Sequence, residues 1–373
     1  MLWFLCAAFV LIGIAGRLYA KMWKKGLSVR IRFSEPAAYA GESILLEEIV
    51  SNHKKMPLPQ VEAAFRLPKG LVFADAENIV ISDYVYKRDL FSLRGMEQIL
   101  RKYTMRCEAR GRYSVSQVIV RTKALLHGRE YILEADSPDG REGEAFLVYA
   151  GYTDISAIEQ LCDNLLGMTE SRNRLYEDPF LFSGIRDYRR TDPMNRINWK
   201  AMARTGSMMV NTFSSVQDLS CMIFLDVEDR NILKEEDLVE ESIRAAASLC
   251  RRMILHSQMT GLAVNTDPPV LLGPERGREL LSRVEYALTE NFTAGRKTDF
   301  LALVDRTAGR GSRETGRTAQ ETMNPAAVYI LISKNLRAEE VSVDVPDAVL
   351  VTPVRKAGGG FELLARRVGP TGL

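Results

Sequence analysis

The chain opens on an uncharged apolar run from Met1 to Gly16, followed by Arg17, Lys21, Lys24 and Lys25 with Tyr19 and Trp23 set among them. From Ser28 to Ala150 the apolar positions change to period two. Val29, Ile31 and Phe33 alternate with Arg30 and Arg32, and Tyr103, Met105 and Cys107 alternate with Thr104 and Arg106. Such alternation puts one set of side chains in a core and the other in water, which predicts half-buried antiparallel strands. Similar runs occupy residues 44–50, 61–67, 79–86, 113–120 and 146–149, separated by turn-rich pieces such as Met56-Pro57-Leu58-Pro59 and Pro138-Asp139-Gly140. Together they predict an antiparallel, β-sandwich-like domain over residues 26–150.

The periodicity then becomes helical. Ile155, Ile158, Leu161, Leu165 and Leu166 share one face of a helix, read as a helical linker over 151–183. Beyond it, residues 221–226 form a continuous apolar run, as in a strand covered on both faces, and residues 235–256 follow with amphipathic spacing. Residues 262–264, 275–288, 326–332 and 348–351 continue the alternation of strand and helix, whereas 305–324 is polar and reads as a long exposed loop. The prediction for 184–373 is an α/β domain with a mostly parallel sheet, and for the whole chain an α+β, multidomain architecture.

Length agrees with this division, since 373 residues exceed one ordinary core. Lysine plus arginine number 50 against 48 acidic residues, so no overall field draws the chain to nucleic acid, and no such partner is expected. Cys6, Cys107, Cys162, Cys221 and Cys250 are odd in number and widely scattered, and His53, His127 and His256 stand apart. A disulfide framework, a zinc site and a bound cofactor are therefore not expected. The opening apolar run has its basic flank on the C-terminal side, the reverse of a secretory signal. It predicts a membrane anchor over residues 1–25, in contact with lipid. A single pass with the basic side inside leaves the N-terminus outside and the body cytoplasmic.

Residues 184–204 combine polar and apolar positions in a dense pattern. Thr191 or Asp192 can cap a helix that begins at Pro193 and runs to about Arg204, with Met194, Ile197, Ala201 and Met202 as its apolar stripe and Gly206 as its C-cap. Extended structure resumes over residues 208–213. Trp199 and Ile197 are expected to hold this helix against the α/β core, with Arg186, Asp192, Arg196 and Arg204 as a polar network around its ends.

This segment resembles the signature of the family called domain of unknown function 58. Gly184, Arg186, Tyr188, Asp192, Arg196, Ile197, Trp199, Ala203 and Arg204 fall on that signature, with Asp187 where the family has Glu and Thr191 where it has Gly. Arg110-Gly111-Arg112-Tyr113 matches a second family element, Arg-Gly-x-Tyr. The resemblance implies membrane helices, a β-rich region, a von Willebrand factor A-like α/β fold and a MoxR-type AAA+ ATPase as partner. Two departures accompany it. The family often opens with two membrane helices, where one candidate is found here. A metal-binding von Willebrand A domain has Asp-x-Ser-x-Ser after its first central strand, whereas Asp226 is followed by Glu228 and Arg230. An arginine at a ligand position opposes a divalent ion, so no metal is expected and Asp226 remains only a vestigial candidate.

The reading that follows is a membrane-anchored, non-catalytic adaptor or scaffold working with the ATPase. An enzyme built on the polar cluster from Arg186 to Arg204 is the alternative, and anion binding by Arg186, Arg189, Arg190, Arg196, Lys200 and Arg204 is a third. That basic stretch reads equally as a solvated face. No Walker-type phosphate loop occurs, so intrinsic ATPase activity is not expected.

Overall fold

The computed structural model describes residues 2–74, 79–82, 84–123, 130–135, 145–173, 182–213, 220–290, 292, 295–307, 328–337, 341 and 348–368. The turn expected at Pro138-Asp139-Gly140 and residues 308–324 of the expected long loop lie outside them. The chain divides into two compact units, Met1–Gly151 with Leu288–Asn291, and Tyr152–Ala287 with Phe292–Leu373.

The first unit begins with helix α1 (Leu2–Met22). Its strands are β1 (Leu27–Phe33), β2 (Ala37–Tyr39), β3 (Ser43–Asn52), β4 (Leu58–Pro68), β5 (Leu71–Phe73) and β6 (Ile79–Ile81). They continue with β7 (Tyr84–Leu93), β8 (Gln98–Cys107), β9 (Gly111–Tyr113), β10 (Ser116–Lys123), β11 (Glu130–Ala135) and β12 (Phe146–Tyr149). A four-stranded sheet of order β1-β3-β8-β5 and a five-stranded sheet of order β11-β10-β4-β7-β6 are antiparallel throughout. One apolar core joins them: Leu46, Val50, Phe73 and Met105 from the first meet Val61, Phe65, Leu67, Val85 and Val120 from the second. A third sheet, β2-β12-β9, contains a parallel pair. The run expected as one strand over 79–86 is a hairpin, because the chain reverses between Ile81 and Tyr84 and β6 pairs with β7.

The Arg110-Gly111-Arg112-Tyr113 element has a packing role. Tyr113 is buried and donates from its hydroxyl to Ala109 O at 2.7 Å, over Gly70, whose φ of +108° and missing Cβ make room for the ring. Arg110 Nη1 donates to Leu288 O at 2.7 Å within the same unit.

The second unit contributes α2 (Ser156–Asn173), β13 (Phe182–Asp187), α3 (Trp199–Thr205), β14 (Met209–Phe213), β15 (Ser220–Leu225), α4 (Glu236–Leu255) and β16 (Met259–Val264). It continues with β17 (Val270–Glu275), α5 (Arg278–Ala287), α6 (Phe300–Thr307), β18 (Val328–Ile332), β19 (Ala348–Arg355) and β20 (Phe361–Val368). Six strands form a mixed sheet of order β17-β16-β15-β18-β19-β20, in which the four central strands are parallel and both edges antiparallel. The expectation of a mostly parallel sheet thus needs correcting at the edges. β17 carries Pro274, which lacks a ladder donor and is tolerated at an edge. β15 is buried along its whole length, as the continuous apolar run requires. Phe300, Leu303 and Val304 of α6 pack with Met222, Phe224, Tyr329 and Leu331, and α2 and α4 also lie against the sheet. α2, read from sequence as a linker, is therefore a layer of this unit. Burial pushes the Cys162 and Cys250 thiols up to about 12, so at neutral pH they are packing groups rather than nucleophiles.

Among the described residues no helix is long and apolar enough to cross a membrane. The end of α1 is tied to the β-rich core. Trp23, expected beside a membrane interface, is 3% exposed, in ring contact with Tyr131. The β-rich core covers the indole, and Tyr131 supplies a partner ring. Lys54 Nζ donates to Trp23 O and to Lys25 O, which holds the turn after the helix. Replacing Trp23 with alanine should cost about 3–5 kcal/mol, the usual penalty for truncating a core aromatic. Chemical unfolding of the full chain measures it, and a midpoint equal to wild type would contradict the packing role.

Candidate functional site

Strands β13 and β14 form an antiparallel hairpin, Gly184 facing Thr212 and Arg186 facing Val210. Between them the chain does not make the single helix expected from Pro193 to Arg204. Residues 194–196 form one 3-10 turn, Ile197 is extended with ψ at 128°, and α3 starts afresh at Trp199. Asn198 is the reason. Its carbonyl oxygen accepts from Ala201 N at 2.9 Å as an N-cap, and its amide donates to Asn211 Oδ1 at 2.7 Å on β14. An isolated bridge between Ile197 and Val210 completes the tie. Gly206 closes α3 in the left-handed conformation, φ 74°, as expected for a C-cap.

Asp192 does not cap a helix. Its two carboxylate oxygens accept from Arg186 Nη2 and Nη1 at 2.6 Å each, and Oδ2 also accepts from Arg189 N at 2.8 Å. This two-pronged geometry is the strong form of the arginine–carboxylate pair. The Arg186 hydrogen bonds and then the Arg189 amide lower the Asp192 carboxyl to about 2. Tyr188 N donates to Met208 O, which keeps the hairpin paired beyond the strand ends.

The segment buries little. Ile197 and Val210 are in the core, but Trp199 is 64% and Met194 68% exposed, and Phe182, Ile185 and Met208 are exposed as well. Trp199 therefore does not clasp the helix to the core, because the short α3 starts at that residue and turns its ring to solvent. Ala203, Arg204, Arg189, Arg190 and Lys200 are exposed and Arg196 half-buried. Six basic side chains stand here against Asp187 and Asp192.

A second polar cluster occupies the carboxyl ends of the parallel strands, where β16 and β18 lie on opposite sides of β15 and an open α/β sheet has its crevice. Asp226 is buried. Its Oδ1 accepts from Asn265 Nδ2 at 2.7 Å and Glu228 N at 3.0 Å, and its Oδ2 from Ser333 Oγ at 2.6 Å and Asn335 Nδ2 at 3.1 Å. Lys334, with 2% of its side chain exposed, places Nζ 2.5 Å from Asp229 Oδ1 and 3.4 Å from Glu235 Oε2. Arg230 pairs with Glu228 at 2.8 Å. The Asp226 lone pairs are thus directed at neutral donors, with an ammonium and a guanidinium nearby, a setting suited to a structural tie.

Residues 184–318 match the family model described as "Protein of unknown function DUF58". The chain carries a DUF58 domain. No curated protein matches the chain. The CARDB domain of the PF1109 protein from Pyrococcus furiosus, solved with di-metal ions, is 14% identical over 30% of this chain and 90% of its own, with a TM-score of 0.19. A non-cellulosomal cohesin from Archaeoglobus fulgidus is 10% identical over 36% and 96%, at 0.21. The sporulation control protein Spo0M from Bacillus subtilis is 11% identical over 44% and 58%, at 0.19. Scores this low carry no argument about fold or function.

All the signature residues of the DUF58 domain lie on the β13–β14 hairpin and its insertion. Sequence reasoning missed Asn198, Asn265, Ser333, Lys334 and Asn335. The signal for Asn265 and Ser333 is positional, since each is the first polar residue after an apolar run at a strand end, residues 262–264 and Val328–Ile332. In this domain Ile197→Ala should cost about 2–5 kcal/mol, whereas Trp199→Ala should stay within about 0.5 kcal/mol of wild type. Paired denaturation curves separate them, and equal losses would contradict the exposure of the indole.

Proposed function

We propose that this chain is a membrane-anchored, non-catalytic adaptor whose DUF58 signature segment receives a MoxR-type AAA+ ATPase on the cytoplasmic side. The observation that carries this reading is the solvent-facing indole of Trp199 on a short, rigidly capped helix among basic side chains. Exposed aromatics and arginines are the residues that most often anchor protein interfaces. The apolar run before Arg17, Lys21, Lys24 and Lys25 supports a single crossing with the body inside. The parallel core of the second unit, flanked by helices and ending in Asp226 after β15, supports the von Willebrand factor A-like reading. Within the polar cluster, Asp192 is committed to Arg186 and held near 2, far from the range in which a carboxyl exchanges protons at neutral pH. This favours the adaptor over an enzyme using that group.

Affinity capture with the full chain from its native membrane tests the proposal. Wild type should recover an AAA+ ATPase. Trp199→Ala, at unchanged stability, should recover it about thirtyfold less, the loss of about 2 kcal/mol expected for an interface anchor. No ATPase with wild type, or equal recovery by both proteins, would reject it.

A further inference from the structure

The core of the first unit contains ionisable groups that the adaptor reading does not use. Glu48 on β3 is fully buried, and Lys87 and Asp89 on β7 are buried too. Tyr103 on β8 bridges the two sheets, its Oη 2.9 Å from Glu48 Oε2 and 2.8 Å from Asp89 Oδ2. Arg101, also on β8, donates from Nη1 to Asp89 Oδ1 at 3.1 Å and from Nη2 to Leu90 O at 2.9 Å. Lys87 Nζ lies 3.9 Å from the same Asp89 oxygen and 4.8 Å from the centre of the Tyr103 ring. Neighbouring strands bring Ile31, Ala63, Phe65 and Phe73 to the cluster, none of them titratable.

The count of protons decides the charge state. A phenol has one hydrogen, so Tyr103 can donate to one carboxylate only. The other close oxygen pair needs a proton of its own. Asp89 has the Arg101 and Lys87 cations beside it and takes the negative charge. Glu48 has no cation in contact, and its Oε1 has no hydrogen-bond partner. An ionised carboxylate with an orphan oxygen is costly in a core, whereas a neutral acid can donate to Tyr103 Oη while Tyr103 donates to Asp89.

We propose that the first unit is a proton-linked device in which Glu48 is held as the carboxylic acid, and that loss of this proton loosens the packing of its two sheets. Burial, and then the Asp89 charge, push the Glu48 carboxyl up to about 7, against the Tyr103 hydrogen bond and the Arg101 and Lys87 charges. Burial and the two carboxylates push the Tyr103 phenol up as well, so it remains protonated. The folded value of Glu48 is raised, so its contribution to stability is fully present below the ordinary glutamate value of about 4.5. That contribution declines as pH rises, and it is lost once pH passes about 7. The unit is thus stiffest in mild acid and loosens across neutrality.

The full chain tests this by hydrogen exchange, corrected for the intrinsic pH dependence, and by infrared difference spectroscopy. Protection of the β3, β7 and β8 peptides should fall as pH is raised from about 5 to about 8, and a protonated-carboxyl band should titrate away over the same range. Glu48→Gln, which keeps a neutral donor toward Tyr103, should abolish the band and flatten the protection profile. Asp89→Asn, which removes the neighbouring charge, should move the wild-type transition to lower pH, and this variant serves if Glu48→Gln does not fold. A wild-type profile with no titrating carboxyl band, a band that persists in Glu48→Gln, or an Asp89→Asn transition at or above the wild-type pH would overturn the proposal.

Discussion

The signature segment is held by polar side chains because it has almost no core of its own. Ile197 and Val210 are buried, and the remaining constraint comes from the Arg186–Asp192 pair and from Asn198, which caps α3 and reaches Asn211. Hydrogen bonds of this kind orient a backbone without covering it, whereas packing would have drawn the large side chains inward. The consequence is a rigid hairpin whose Trp199 and Met194 face water. A segment built this way is suited to meeting another surface.

The rest of the second unit obeys the complementary rule. β15 is buried on both faces, and at its end the chain must accommodate a buried carboxyl group. Asp226 is tolerated there because Asn265 and Ser333, from the ends of β16 and β18, donate to it with Asn335 and a backbone amide. The same four bonds tie three strand ends together. In the first unit the corresponding polar group, Glu48, is left with one oxygen unpaired, which is why its proton, rather than a network of donors, sets the balance.

Much of the architecture was legible from periodicity. The alternation at Val29, Ile31 and Leu46 emerges as the buried face of β1 and β3, and the unbroken run over 221–225 as a strand covered on both sides. The failures have local causes. Helical spacing from Met194 to Met202 concealed the break at Ile197, although Asn198 is a strong N-cap residue and could have flagged it. Hydrophobicity alone places Trp199 in a core, a one-way rule that its neighbours Lys200 and Arg204 weaken. The buried ionisable groups are legible in the alternation: Glu48 is in phase with Leu46 and Val50, and Lys87 and Asp89 with Val85 and Phe91, all on inward-facing positions. Asn335 and Lys334 left no pattern, since their partners, Asp226 and Asp229 respectively, are more than a hundred residues away.

The outward presentation of Trp199 is most directly measured by fluorescence. Its signal is isolated as the difference between the full chain and Trp199→Phe, followed under increasing acrylamide. The account predicts a red-shifted emission that is quenched freely in the isolated protein, as for an indole in water. A blue-shifted difference spectrum resistant to the quencher would show the ring packed inside and contradict it.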